Sequence, residues 1–266
     1  MIDAKLQEEL RNRFNPDGSM LRREQLRALD ILIEVDKFCK NNSIKYWLSS
    51  GTLIGAVRHG GFIPWDDDLD IEMLREDYLK FEKLWRNTPT LSLQTRKTDK
   101  YYTCVFAKVR DMKSRIDQDG WNDNSKYTGL FVDIFCLEKI PHWLYILYGG
   151  LFHYITQLYR NTGRKKWMLN ITYWMRRLLF LTMPVSRAIS RLLPLKQLRH
   201  TYGCAPLWKG RNPDYLLPLR ELYFEGHKFP VPGNYRGYLT DMYGDYMKLP
   251  NLDKIRIHSI GCEFLD

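Results

Sequence analysis

The sequence lacks any paired-cysteine pattern. Its five cysteines, in a chain of 266 residues, are odd in number and widely spaced, and none forms a CxxC or Cys/His motif. Neither a disulfide framework nor a zinc module is therefore predicted, and a reducing compartment is expected. The first residues also lack the basic-then-apolar order of a signal peptide, which favours a cytoplasmic protein.

Acidic residues are absent from one long segment. From Lys139 to Arg211 there are 13 Lys and Arg and no Asp or Glu, whereas the rest of the chain has 28 Lys and Arg against 31 Asp and Glu. The net charge of +10 therefore comes entirely from this segment. Such an asymmetry indicates an anionic partner.

The same segment also lacks a long apolar run. Residues 143–159 carry no Lys, Arg, Asp or Glu but are interrupted by Gly149, Gly150 and His153, and a membrane span needs about 20 apolar residues. Residues 142–210 instead mix Trp, Tyr and Leu with Lys and Arg, as helices in a membrane interface do. A packed basic subdomain and a nucleic-acid surface are alternatives. We favour an anionic membrane surface and expect no nucleic acid.

The composition that is present is globular, with 44% hydrophobic and 27% charged residues. Helical periodicity over Met20–Lys40 and several short strand-like runs predict an α/β unit with a mixed sheet in the first part of the chain. We divide the chain into an N-terminal extension (1–19), a core (20–140), a basic helical insert (141–210) and a C-terminal part of the core (211–266).

One stretch, residues 49–72, combines a glycine-bearing turn with clustered acids. Asp66, Asp68, Asp70 and Glu72 alternate with other residues, so a strand would place them on one face. Like charges on one face repel, and a hard cation with oxygen ligands, Mg²⁺ or Mn²⁺, makes such a face favourable. The alternative is an acidic, solvated edge strand or turn.

Two further features extend this stretch into a candidate phosphate-transfer site. The Gly51-Thr52 turn opens a predicted helix, whose free N–H groups suit a phosphate. Asp133 stands alone in an apolar strand-like run, and it would either complete a cation site or accept a proton from an attacking hydroxyl. A buried, hydrogen-bonded aspartate is the alternative for Asp133.

A small-residue turn, an acid-hydrophobic-acid strand and a later acid together resemble the nucleotidyltransferase superfamily, and residues 51–71 resemble the LicD family signature. The resemblance covers roughly residues 20–140 and 215–260. It implies a nucleotidyltransferase-like mixed sheet flanked by helices, class α/β (α+β), with the basic helical insert added. It also implies transfer of a phosphate-linked headgroup, phosphocholine first, from a CDP-activated donor such as CDP-choline to a sugar hydroxyl.

The resemblance also assigns roles to residues. Asp68 and Asp70 would hold Mg²⁺ or Mn²⁺ with Asp66 nearby, and Asp133 would be the third carboxylate and general base. The residues expected to bind phosphate, headgroup or acceptor are Gly51, Thr52, Arg58, Lys108, Arg110, Tyr243, Asp245 and His258. A quaternary ammonium would need aromatic faces, for which the candidates are Trp47, Trp65, Tyr243 and Tyr246.

Together these features predict a Mg²⁺-dependent transferase, peripheral at the inner face of a membrane, with a lipid-linked or surface glycan as acceptor. Two alternatives stay open. The protein could transfer a nucleotide monophosphate instead of a headgroup, or it could be a non-catalytic, membrane-associated scaffold for glycan assembly.

Overall fold

The computed structural model describes residues 1–116, 125–161, 165–204, 209–255 and 261–265. It shows a mixed α+β fold, which confirms the predicted class. The helices are α1 Ala4–Phe14, α2 Met20–Asn41, α3 Ser50–Arg58, α4 Arg75–Leu84, α5 His142–Asn161, α6 Lys166–Arg191 and α7 Tyr235–Tyr243. The strands are β1 Trp47–Leu48, β2 Asp70–Leu74, β3 Leu91–Gln94, β4 Ala107–Asp111, β5 Ser114–Ile116, β6 Phe131–Lys139, β7 Leu198–His200, β8 Arg220–Phe224, β9 His227–Val231 and β10 Cys262–Phe264.

The main sheet has the strand order β1-β2-β6-β4-β3. Strands β2 and β6 run parallel with Asp70 opposite Asp133. Strand β4 runs antiparallel to β6 on its other side, with Lys108 opposite Asp133. Three residues predicted to form the site therefore lie side by side on three neighbouring strands.

The apolar periodicity of the sequence explains the core. The predicted stripe of α2 (Ala28, Leu32, Val35 and Cys39) is fully buried, and α2 packs on β4 and β6. The apolar run of β6 is buried almost throughout, as expected for a central strand covered on both faces.

The N-terminal extension contains a helix that the polar composition does not suggest. Asp3 caps α1 by accepting from the Lys5 and Leu6 N–H groups. Leu6, Leu10 and Phe14 follow at helical spacing, and the last two are buried. Three apolar residues are enough to attach this helix, although its overall hydrophobicity is low.

The basic insert consists of α5 and α6 followed by β7. The two helices pack on each other, with a buried aromatic cluster beneath them that includes Tyr145, Tyr148 and Phe152. Strand β7 pairs with the end of β6, so the last part of the insert belongs to the main sheet. None of the helices in the described ranges is long and apolar enough to cross a membrane.

Candidate active site

The turn between β1 and α3 is tied to the start of the acidic strand. The Ser49 N–H donates to the Asp70 carbonyl at 3.0 Å, and the Asp70 N–H donates to Thr52 Oγ1 at 2.8 Å. The side chain of Ser49, the N-cap residue of α3, makes no capping hydrogen bond. The turn and strand are thus held as one unit, and helix N–H groups remain available to an anion.

Gly51 leaves room for a neighbouring carboxylate in this unit. A Cβ atom at position 51 would lie 2.7 Å from Asp66 Oδ2, which is closer than non-bonded atoms approach. The carboxylate of Asp66 therefore lies directly against the first turn of α3. Because Gly51 has no side chain, the Gly51-Thr52 turn and the carboxylate of Asp66 can lie in contact.

The acids group differently from the prediction. Strand β2 begins only at Asp70, and the Asp66 N–H donates to the Ile63 carbonyl in a turn, so the predicted strand alternation is wrong for residues 66–69. In this non-strand segment Asp66, Asp67 and Asp68 each offer a carboxylate oxygen within 4.8 Å of the others. Asp67, which strand alternation would point away, joins the cluster.

The negative charges of this acidic cluster are not balanced by the cations around it. Burial, followed by the charge of Asp68, raises the pKa of Asp66 to about 7, and the same causes with Asp66 added raise the pKa of Asp67 to about 8. Burial and then Asp133 hold the pKa of Asp70 well above its usual value. A divalent cation would favour the ionised forms, and an all-oxygen donor set fits Mg²⁺ or Mn²⁺.

Asp133 forms an ion pair that keeps it next to the cluster. Lys108 Nζ donates to Asp133 Oδ1 at 2.5 Å, and the same ammonium lies 3.3 Å from the centre of the Phe131 ring. Burial raises the pKa of Asp133, Lys108 opposes it, and the result is a pKa of about 6. Such a carboxyl is ionised at neutral pH and still basic enough to accept a proton.

The other two cations predicted to bind phosphate are hydrogen-bonded to groups of the protein itself. Arg58 Nη1 donates to the carbonyls of Tyr246 and Lys248, so it fastens the segment after α7 to α3. Arg110 donates to Gln94 Oε1 and to the Gly129 carbonyl in the interior. The structure therefore brings Lys108 to the acids, and it places these two guanidinium groups in backbone and side-chain contacts of the core.

Of the C-terminal candidates, Tyr243 reaches the site. It lies within hydrogen-bonding range of Ser50, and the residue is 44% exposed. Asp245 is exposed in the turn after α7, and His258 lies outside the described residues.

The aromatic residues predicted to contact a quaternary ammonium differ in their exposure and position. Trp47 has no exposed surface, so its proposed contact with a ligand is wrong. Trp65 packs edge-on against Phe14 and His59 and is partly exposed, and Tyr246 is also partly exposed. Of these four candidates, Trp65 directly precedes the acidic cluster and Tyr243 lies beside Ser50 of the turn.

Glu72, which the alternation placed with the other acids, has a separate environment. Its fully buried carboxylate accepts from Trp47 Nε1, His200 Nε2, Arg211 Nε and Tyr238 Oη at 2.7 to 3.0 Å. Burial raises the pKa of Glu72, but Arg211 and then His200 outweigh it and lower the pKa to about 2. This carboxylate needs no cation. No local sequence pattern predicts its partners, because three of them lie 128 to 166 residues further along the chain.

Comparison with known proteins finds a matching family model and several similar sequences. Residues 43–150 match the family model described as LicD/FKTN/FKRP, nucleotidyltransferase domain. The chain is 31% identical over 260 residues, 90% of its own length and 96% of the relative's, to the lipopolysaccharide cholinephosphotransferase LicD of Haemophilus influenzae. Over 41 residues, 15% of this chain and 8% of the relative, it is 49% identical to the human ribitol 5-phosphate transferase FKRP. Over 46% of this chain and 11% of the relative, it is 32% identical to the yeast mannosyltransferase regulator 4.

Proposed function

Because the chain belongs to the LicD family, we propose that it transfers a phosphate-linked headgroup, most simply phosphocholine, from a CDP-activated donor to a sugar hydroxyl of a cell-surface glycan. Similarity to a cholinephosphotransferase over nearly the whole chain supports a phosphate-headgroup transferase. The observation that carries the proposal is the position of Asp133 opposite Asp70, beside acids whose pKa values are raised.

Asp66, Asp67, Asp68 and Asp70 are the residues that would hold a divalent cation in this proposal. A bound Mg²⁺ or Mn²⁺ would neutralise charge on the donor diphosphate. The Gly51-Thr52 turn and the N-terminus of α3 would add N–H donors to a phosphate oxygen.

Asp133 is the proposed general base. Its carboxylate would accept the proton of the acceptor hydroxyl as the new O–P bond forms and the bond to the nucleotide phosphate breaks. Lys108 holds Asp133 in place and keeps it ionised at neutral pH. Tyr243 stands beside Ser50 at the mouth of the site, where it would contact the headgroup.

The direct test incubates the protein with Mg²⁺, a glycan acceptor and CDP-choline, CDP-ethanolamine or CDP-ribitol, and in a parallel reaction with a nucleoside triphosphate. Release of CMP with labelled headgroup on the acceptor is the expected result. Release of pyrophosphate from a nucleoside triphosphate would instead identify a nucleotidylyltransferase. Absence of divalent-dependent binding to any donor would reject an enzymatic site and favour the scaffold.

Attachment of the insert to an anionic membrane surface, at the inner face, is part of this proposal. Exposed apolar side chains recur on α6 every three or four residues, forming one stripe along the helix: Trp167, Ile171, Trp174, Leu178, Leu181, Val185 and Ile189. The helix carries basic residues as well and no acid. A continuous apolar stripe with cations beside it is typical of helices that lie in the bilayer interface.

Co-sedimentation with vesicles tests this attachment. We expect binding to vesicles that contain phosphatidylglycerol and weaker binding at high salt. The double variant Trp174→Ala/Leu178→Ala should bind weakly, whereas Tyr223→Ala, equally exposed but on β8, should bind like the wild type. Equal retention of both variants on the vesicles would refute a role for the α6 stripe.

A further inference from the structure

A cavity of about 340 Å³ lies between α6 and the connection from β3 to β4. Its wall carries five cationic side chains: Arg96, Lys97, Lys100, Arg176 and Arg177. Among the described residues that line it there is no Asp or Glu. A wall of this kind has a strong positive potential and attracts an anion.

Four of the five cations have partners that explain their positions. Lys97 is paired with Glu82, and the Arg96 guanidinium lies 3.9 Å from the centre of the Phe180 ring. Lys100 lies over the Tyr173 ring at 5.2 Å, and Arg177 Nη1 donates to the hydroxyl of the same Tyr173 at 3.1 Å.

Arg176 is different. Its side chain is buried, with the residue only 4% exposed, and neither Nη1 nor Nη2 has a hydrogen-bond partner in the part of the chain that the structure describes. A buried guanidinium without an acceptor is costly, and such groups are rarely left unpaired in folded proteins. Burial lowers the pKa of Arg176 only to about 10, so it keeps its charge at neutral pH.

The cavity is close to the active site without being part of it. Tyr102 lines it, and burial, then Cys104 and Asp133, hold the pKa of Tyr102 well above its usual value. Asp133 is therefore within electrostatic range of the cavity wall. On the other side, Leu181 belongs both to the wall and to the exposed apolar stripe of α6. The cavity therefore adjoins the proposed membrane face.

We propose that this cavity binds a phosphate or diphosphate group, with Arg176 as its buried ligand and Lys100 and Arg177 at its mouth. The planar guanidinium offers two parallel N–H donors that match phosphate oxygens. Such a group is carried either by a soluble phosphorylated compound or by the head of a lipid. The ligand supplies the acceptors that Arg176 lacks.

Binding of inorganic pyrophosphate to the full-length protein is the primary test. Titration calorimetry is carried out in EDTA, so that divalent-dependent binding at the acids is suppressed, and at constant ionic strength. We expect Arg176→Met to weaken binding by about tenfold or more, because a hydrogen-bonded charge pair is lost. Arg191→Met is the matched control, since Arg191 is exposed at the end of the same helix and outside the cavity.

Thermal unfolding without ligand separates this role from a structural one. Arg176→Met should melt no lower than the wild type, since it removes an unpaired buried charge. Lys100→Gln, an exposed change, should weaken pyrophosphate binding several-fold, and it keeps the test valid if Arg176→Met does not fold. Equal affinity of wild type, Arg176→Met and Lys100→Gln would overturn the proposal.

Vesicles of phosphatidic acid, compared with phosphatidylcholine alone, distinguish the two sources of phosphate. A loss of phosphatidic acid binding in Arg176→Met but not in Arg236→Met, a change at a residue exposed on α7 outside the insert, without pyrophosphate binding, identifies a lipid headgroup. Pyrophosphate binding that depends on Arg176 identifies a soluble ligand. If neither probe distinguishes Arg176→Met from its control variant, the proposal is wrong. The readouts need no turnover, so they are independent of the outcome of the transferase assay.

Discussion

Strand β2 carries two carboxylates, Asp70 and Glu72, in opposite environments. Asp70 lies among other acids, and burial with Asp133 holds its pKa well above the usual value. Two residues on, Glu72 is surrounded by donors, and Arg211 and His200 overcome burial to bring its pKa to about 2. The difference separates two uses of a buried acid: a compensated carboxylate stabilises the fold, and an uncompensated one is ready to receive a cation.

The partners of the two acids also come from different parts of the chain. Asp70 faces Asp133 on the neighbouring strand and the Asp66–Asp68 segment just before it. Glu72 is held by His200 of β7, by Arg211 and by Tyr238 of α7. Glu72 therefore joins the later half of the chain to the sheet. Asp70 instead belongs to one site with Asp133 and the acids that directly precede it.

The largest expected effect is on activity, from Asp68→Asn. If the acids hold a cation, turnover should fall on the order of a thousandfold, since a metal contributes several kcal/mol to the transition state. The melting temperature should not fall, because one repelling charge is removed from the cluster. Asp30→Asn, on the exposed face of α2, is the control. Activity within a few-fold of the wild type would reject the assignment of Asp68.

Next in size is the effect of Glu72→Gln on stability. The amide leaves Arg211 buried without a counter-charge, and breaking a buried pair in this way costs about 3–5 kcal/mol. Chemical denaturation of the variant should show this loss in the free energy of unfolding. Glu9→Gln, on the exposed side of α1, should change it by less than about 0.5 kcal/mol. A stable Glu72→Gln protein would mean that the network is not essential to the fold.

A smaller effect is expected from the cation itself. Mn²⁺ or Mg²⁺ at 100 times its dissociation constant should stabilise the wild type by about 2.7 kcal/mol, and EDTA should reverse the shift in melting temperature. Asp67→Asn should reduce the shift, since Asp67 belongs to the cluster, and Asp30→Asn should not. An identical shift in all three proteins would show that the cation binds elsewhere.

The sequence allowed the centre of the fold to be predicted because its patterns are local. The stripe of α2 and the apolar run of β6 each show their period within a few residues, and both were confirmed. The helix α1 was missed because it depends on three apolar side chains within a polar segment. The pairing of β7 with β6 joins residues 59 to 63 positions apart, and no local pattern indicates it.

The site was predictable to the extent that neighbouring residues define it. The prediction that the Gly51-Thr52 turn and the acids belong to one site agrees with the contact between Gly51 and Asp66. Asp67 was missed because strand alternation was extended through a turn. Glu72 was misplaced with the cluster, since its spacing matches the other acids and its partners lie far away in the chain. The spacing of acidic residues therefore predicts where negative charges cluster. It does not predict which cations pair with them, because those cations are brought close only by the tertiary fold.

The smallest expected effect concerns the charge balance at Asp133, and it is a shift in pH dependence. Burial and Lys108 act in opposite directions on this carboxyl, giving a pKa of about 6. If Asp133 is the base, activity rises with pH as it loses its proton. Lys108→Met removes the opposing cation, so the rising limb should move to higher pH by about one unit or more. Lys113→Met, exposed after β4, should leave the limb in place. Activity lost equally at every pH would show that Lys108 contacts substrate and does not act through Asp133, because a pure change in pKa is recovered at alkaline pH.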